Sequence, residues 1–230
     1  MVFYLEKYLS LLTKTVPFSG FTPQEVSEVL KNLRLGATIY KKGDVIFSQG
    51  EKVSRSGVIL RGSITAQSVS YSGQQRVISL LSSGDVFGDV LMSSERFPIP
   101  VSVSAREDTE VLFLSVSKLS QKSDDPLCMR ILLNMLRGVS EKFWMLNRKI
   151  AYLSAKSLRA RVSLFLLDNM KDRGVSTFNV EYSREELASL LSVNRSALSR
   201  ELSRMQGEGI IEFYKSTFKI LSSESLKKAL

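Results

Sequence analysis

The sequence predicts an α+β chain in three parts. They are an N-terminal jelly roll (a double-stranded β-helix), a long dimerisation helix, and a C-terminal winged helix-turn-helix. Three observations carry this. Residues 36–118 hold short runs rich in Val, Ile and Phe, separated by glycines at 43, 50, 57, 62, 73, 84 and 88, the texture of an antiparallel sandwich or barrel. Residues 124–153 carry apolar side chains at alternating steps of 4 and 3. Residues 183–207 read as two short helices about a tight turn, followed by a hairpin. The expected parts are therefore 1–123, 124–153 and 154–230.

Residues 1–35 are expected to be helical, with Thr22 as cap, Pro23 at the first position and Gln24-Glu25 in the first turn. Val26, Val29, Leu30 and Leu33 form its apolar stripe. The strand runs include Val45-Ile46-Phe47, Val58-Ile59-Leu60, Val77–Leu80 and Val111–Leu114. Tyr71-Ser72-Gly73-Gln74 reads as a hairpin tip. Gly43-Asp44-Val45-Ile46-Phe47 is echoed by Gly84-Asp85-Val86-Phe87, which suits a roll built from two similar halves.

The long helix is capped by Asp124 or Asp125, with Pro126 in its first turn. Leu132, Leu136, Val139, Phe143, Leu146, Ile150 and Leu153 form a heptad seam. A core-packed amphipathic helix is the plain alternative. The charged flanks Glu141, Lys142, Arg148 and Lys149 narrow the stripe and favour a two-helix homodimer interface. Ser154 is then expected to cap a helix through Leu158, Val162 and Phe165, ended by Gly174. Phe178, Val180 and Tyr182 alternate as a short strand.

Ser183 caps the next helix and Glu186 completes a capping box. Leu187, Ala188, Leu190 and Leu191 give its apolar face, and Ser192-Val193-Asn194 is the turn. Asn194 caps a second helix, Arg195 to Gln206, whose inner face is Ala197, Leu198, Leu202 and Met205. Its other face presents Arg195, Ser196, Ser199, Arg200, Ser203 and Arg204, with Glu201 as the one acid. Arg can fork onto guanine O6 and N7, and Ser can bond base edges or phosphates, so this face points to a major-groove reader. The hairpin Ile210–Phe213 and Phe218–Leu221, turning at Lys215-Ser216-Thr217, would lay Lys215 and Lys219 on the backbone as a wing.

Composition narrows the function. The 230 residues hold 32 Lys+Arg against 23 Asp+Glu, a net charge of +9, with no His and one Cys. A catalytic triad with His, His-ligated zinc and His-ligated haem are excluded, as are an internal disulfide and a four-Cys iron–sulfur cluster. A jelly-roll metal enzyme would need clustered His or carboxylates, so no enzyme is expected. The apolar opening, Met1 to Val16, is broken by Glu6, Lys7 and Lys14; it neither spans a membrane nor resembles a signal peptide. A cytoplasmic protein with Cys128 reduced is the expectation.

From about Phe21 to Leu221 the chain resembles the cyclic-AMP receptor protein/FNR (Crp/Fnr) family of bacterial transcription regulators. The resemblance rests on Lys42–Glu51, Gly57–Ile64, Leu80–Asp89, the long helix and the Ser183–Arg204 helix-turn-helix. It implies a cyclic-nucleotide-binding-like domain, a homodimer on a pseudo-palindromic operator near promoters, and contact with RNA polymerase. Arg195 and Arg200 match the two Arg of the family's reading helix. Ser196 stands where the family has Glu, which removes an acceptor for a cytosine amino group.

Members that bind cyclic AMP carry Phe-Gly-Glu-Leu and then an Arg-Ser pair. Here Phe87-Gly88-Asp89-Val90 shortens the acid, and Ile99-Pro100 or nearby falls at the Arg-Ser position, with Arg96 the only cation close by. A buried phosphate without its cation is costly, so the effector is expected not to be cyclic AMP. Gly88, Asp89, Val90, Arg96, Val101, Arg137, Phe143, Trp144 and Asn147 form the candidate site, suited to an uncharged or aromatic small molecule, with any acid paired to Arg96 or Arg137. The alternative function is an effector-binding module that signals through protein contacts.

Overall fold

The computed structural model describes residues 2–70, 74–89 and 97–230, and the side chains from Tyr4 onward. The expected hairpin tip at Tyr71-Ser72-Gly73 lies outside them. The chain packs as two compact units, Met1–Glu141 and Lys142–Leu230.

The first unit opens with α1 (Val2–Leu5), a 3₁₀ turn, α2 (Leu9–Leu12), a second 3₁₀ turn and α3 (Pro23–Asn32). The capping box at the start of α3 is present. The Glu25 amide donates to Thr22 Oγ1 at 3.3 Å, and the Thr22 amide donates to Glu25 Oε2 at 2.7 Å. Eight strands follow: β1 (Ala37–Tyr40), β2 (Val45–Phe47), β3 (Arg55–Arg61), β4 (Ser63–Val69), β5 (Gln75–Ser82), β6 (Val86–Phe87), β7 (Ser102–Ala105) and β8 (Thr109–Ser115). They pair antiparallel in two sheets, β1-β8-β3-β6 and β2-β7-β4-β5, as the jelly-roll expectation requires.

The sequence echo has a physical basis. Gly43 and Gly84 adopt φ of +91° and +95°. Each is followed by an Asp whose carboxylate accepts the amide three residues back: Lys41 N to Asp44 Oδ2 at 2.7 Å, Ser82 N to Asp85 Oδ2 at 2.8 Å. A third copy occurs at Ser48–Glu51, with Gly50 at φ +88° and Ser48 N donating to Glu51 Oε2 at 2.9 Å. All three are turns whose third residue needs positive φ, which Gly takes without strain.

Strands β3 and β8 are buried on both faces. Val58, Leu60, Leu112 and Leu114 pack against the N-terminal helices and the start of the long helix. Ile59 and Val111 turn into the roll, where Phe47, Phe87 and Phe113 stack with centroids 5.6–6.3 Å apart. Gly57 permits this. A Cβ there would sit 2.3 Å from the Phe87 ring.

After α4 (Val116–Ser120) comes the long helix, α5 (Pro126–Ser154), with Asp125 Oδ1 accepting from the Leu127 amide at 2.8 Å. Its first half buries Cys128, Ile131 and Met135 in the first unit. Asn134 Nδ2 staples it to the carbonyls of Pro17 (3.1 Å) and Ser19 (2.9 Å). Burial pushes the Cys128 thiol up, away from thiolate chemistry. Within the chain the seam is largely uncovered: Leu132 and Val139 are half-buried, and Phe143 is 63% exposed, with Leu136, Leu146, Ile150 and Leu153 also exposed.

The second unit holds α6 (Leu158–Arg173), β9 (Thr177–Asn179), α7 (Arg184–Leu190), α8 (Arg195–Gly207), β10 (Ile211–Tyr214), β11 (Thr217–Ile220) and α9 (Ser223–Lys228), with the sheet ordered β10-β11-β9. Three expectations need correction. Ser154 does not cap α6; it is the last residue of α5 and donates to the Ile150 carbonyl at 2.9 Å. The cap is Ser157, whose extended backbone lets its side chain accept the Ala160 amide at 3.0 Å. The strand expected at 178–182 stops at Asn179: the Val180 amide still donates to the Ser216 carbonyl (2.9 Å), but Ser216 is already in the wing turn and β11 offers nothing further to pair with. The wing turn is Lys215-Ser216 alone; Thr217 is already in β11, opposite Tyr214.

Substituting Gly57→Ala is expected to lower the urea midpoint by an amount equivalent to about 1–3 kcal/mol, through overpacking against Phe87. Gly207→Ala at the open end of α8, with nothing within 4 Å of the new methyl, is expected to be neutral or stabilising by up to about 1 kcal/mol.

Candidate nucleic-acid interface

Local hydrogen bonding builds the helix-turn-helix. Ser183 and Glu186 close a capping box: Glu186 N donates to Ser183 Oγ at 3.2 Å and Ser183 N to Glu186 Oε2 at 2.7 Å. The bonds from Ser183 hold the Glu186 carboxyl below the usual range. Ser192 takes φ +52° in the turn, and Val193 N reaches back to the Ala188 carbonyl at 2.9 Å. Asn194 Oδ1 then accepts the Ala197 amide at 2.7 Å and starts α8. Leu198, Leu202 and Met205 are buried, while Ala197 is half-buried.

The outward face of α8 carries Arg195, Ser196, Arg200, Ser203 and Arg204 exposed, with Ser199 half-buried. Ser196 is partly committed, since its hydroxyl donates to Asn194 Oδ1 at 2.9 Å. Arg195 Nη1 lies 3.8 Å from Glu185 Oε2, both well exposed, a contact worth little in solvent.

Glu201 is not on this face. It is only 9% exposed and turns inward, where its Oε1 accepts from Arg159 Nε at 2.6 Å. The other two Arg159 nitrogens fork onto the Glu208 carboxylate, each at 2.7 Å. The two carboxylates raise the Arg159 pKa, and Arg159 holds Glu208 below the usual carboxylate range. Arg204 Nη1 also lies 3.5 Å from Glu201 Oε2. The outward face therefore carries no acid of its own.

At the wing, Lys215 takes φ +50° and stands 5.4 Å over the Tyr214 ring. Lys219 is held across the hairpin by Glu212 at 3.0 Å, which offsets its charge. Arg184 ties the wing to α7: it donates to the Lys215 carbonyl at 2.8 Å and lies over Phe213 and Phe218. Burial and the nearby Arg195 charge lower its pKa.

Of the candidate effector residues described, Gly88, Asp89, Val101 and Arg137 belong to the first unit and Phe143, Trp144 and Asn147 to the second. Gly88, at φ +72°, and Asp89, 8% exposed, follow β6, while Val101 packs on the core of the roll. Val90 and Arg96 lie outside the described residues. Arg137 lines a cleft of about 350 Å³ against Lys14, Thr15 and Val16, facing the N-terminal segment. Phe143, Trp144 and Asn147 are exposed on the second half of α5. Among the described residues no helix is long and apolar enough to cross a membrane, and no three His, Cys, Asp or Glu side chains cluster as a metal site.

Residues 37–124 match the family model of the cyclic nucleotide-binding domain, and residues 160–229 match that of the Crp-like helix-turn-helix domain. The chain belongs to the Crp/Fnr family. It is 26% identical over 214 residues to the cyclic AMP receptor protein of Thermus thermophilus, covering 92% of this chain and 94% of that one. It is 25% identical over 225 residues to the transcriptional activator protein anr of Pseudomonas aeruginosa, covering 96% and 90%. A solved cyclic nucleotide-binding domain from Methylobacillus flagellatus shares the fold of the first unit, with a TM-score of 0.54 at 18% identity over 67% of this chain and 88% of that one. The chain is a DNA-binding transcription regulator of the Crp/Fnr type, and its relatives are regulators rather than enzymes.

Sequence reasoning about this Crp/Fnr regulator missed Arg159 and Arg184. For Arg159 a signal existed: Arg159 and Arg161 sit in the first turn of α6 with no acid there, against the helix dipole, so they required partners elsewhere. Arg159→Ala would leave the buried Glu201 with only the longer Arg204 contact, and is expected to destabilise the second unit by about 2–3 kcal/mol. In the same variant the Glu208 carboxyl should move back up toward the ordinary carboxylate range, seen by NMR titration. In the parent protein the clamp is fully formed above that range. It is lost only as pH falls through the depressed Glu208 value.

Proposed function

We propose that the protein acts as a cytoplasmic homodimer on a pseudo-palindromic operator near promoters, where it contacts RNA polymerase, switched by a small molecule other than cyclic AMP. The observation that carries the operator reading is the outward face of α8. Arg195, Arg200 and Arg204 project from it with Ser203, while Glu201 is turned away. Arg195 and Arg200 are assigned to base edges, with Ser196 and Ser199 beside them. Arg204, Ser203, Ser183, Lys215 and Lys219 are assigned to the phosphate backbone.

The uncovered seam supports the dimer. Leu136, Phe143, Leu146 and Ile150 are each more than half exposed on α5, and a single-chain helix has no reason to keep such a stripe in water. Two copies joined along it would present two reading helices to successive major grooves, about 34 Å apart. An effector that favours one arrangement of the paired helices would shift the population competent for DNA.

Cyclic AMP is a poor fit to the described residues. Ile99, at or near the position of the family's Arg-Ser pair, is 4% exposed in the apolar core of the roll. It offers a buried phosphate no cation.

Binding selection from random DNA, with and without small-molecule extract, tests this reading. It should return a two-fold symmetric site, and a pool without enrichment would reject it. On the selected site, Arg195→Ala or Arg200→Ala should each cost about 10–100-fold and relax one base position. Lys215→Ala should lower the salt slope by about one. Phe143→Ala and Ile150→Ala should weaken both the dimer, by sedimentation, and operator affinity. Calorimetric titration with cyclic AMP should show no binding; micromolar affinity would overturn that part.

A further inference from the structure

The largest of the described clefts, about 660 Å³, lies in the unit that carries the reading helix, and DNA reading does not use it. Its floor is aromatic. Tyr152 of α5 meets Phe165 of α6 edge-on at 6.0 Å, and Phe165 meets Tyr182 edge-on at 6.3 Å. Trp144, 60% exposed, stands on the wall, with the Arg148 guanidinium 5.6 Å from its ring.

The charges around the cleft are of two kinds. Arg148 is spent on Asp172 and Asp168, and Glu186 on the Ser183 cap. Arg173 and Glu181 are exposed, line the same cleft and make no ion pair among the described residues. One unspent cation and one unspent carboxylate therefore border an aromatic floor.

We propose that this cleft binds a zwitterionic aromatic molecule of the size and kind of an aromatic α-amino acid. Its ring would lie against the accessible rings of Trp144 and Tyr182, above the buried Tyr152 and Phe165, where edge-on and stacked geometries are favourable. Its carboxylate would pair with Arg173 and its ammonium with Glu181. A purely anionic ligand meets Glu181, and a purely cationic one meets Arg173. The volume, with aromatic and aliphatic side chains set among charged ones, is that of small-molecule sites. The walls come from α5, α6 and the approach to α7. An occupant would thus brace the helix-turn-helix against the helix that bears the seam. That consequence rests on the DNA reading proposed above; binding itself does not.

The test uses the full chain without DNA. Trp144 is the single tryptophan, so its emission, excited at the red edge, reports the cleft. L-phenylalanine and L-tyrosine are titrated beside phenethylamine and 3-phenylpropionate, which each keep one charge. A saturable change with the amino acids is expected, weakened about tenfold by Arg173→Ala, by Glu181→Gln and in either one-charge analogue. Both substitutions are at exposed sites and should leave probe-free operator affinity unchanged. No saturable response to either amino acid overturns the proposal, and so does equal binding by the variants or the analogues.

Discussion

A carboxylate on a helix that faces a polyanion meets two penalties: repulsion if it points out, desolvation if it points in. The second unit resolves this at Glu201 with one arginine. Arg159 supplies the cation that makes an inward Glu201 tolerable, and its fork onto Glu208 fixes the far end of α8 as well. The composition of the outward face of α8 depends on that clamp. With Glu201 withdrawn, the exposed side chains along α8 are arginines and serines as far as Gln206, and the caps at Ser183 and Asn194 need only set where the helices begin.

The first unit depends on a different economy. Strands β3 and β8 serve two cores at once, so alternate residues of the same strand are held to different neighbours. That leaves little freedom for side-chain size, and the missing side chain at Gly57 is what admits Phe87. The N-terminal helices are fixed by polar contacts too. Tyr4 and Tyr8 both donate to the buried Glu110 carboxylate, at 2.8 and 2.9 Å.

What the sequence made legible was local. The caps at Thr22 and Ser183 stand where expected, and the box expected at Ser183 also occurs at Thr22, since both depend on residues three apart. The heptad stripe depends on steps of 3 and 4, and it marked the exposed line on α5. What stayed hidden depends on distant partners or on backbone angles. Arg159 and Glu201 lie 42 residues apart. Ser154 and Ser157 are chemically alike, and only the extended backbone at Ser157 makes it the cap. The wing turn is a residue shorter than expected because Lys215 accepts positive φ. Arg137, one of the candidate effector residues, lines a cleft with the N-terminal segment, a neighbourhood that no local pattern signals.

The threefold turn at Lys41–Asp44, Ser48–Glu51 and Ser82–Asp85 says something about how this roll is held together. In each, the Gly and the acid carry the geometry, while the first two side chains differ: Lys-Lys, Ser-Gln, Ser-Ser. Half of every turn is fixed by backbone physics, and the other half is fitted to its own surroundings: Lys41 to Asp108, Gln49 to the Val69 backbone, Ser83 to the Leu60 carbonyl. One half of the same four residues makes the bend, and the other half seats it in the roll.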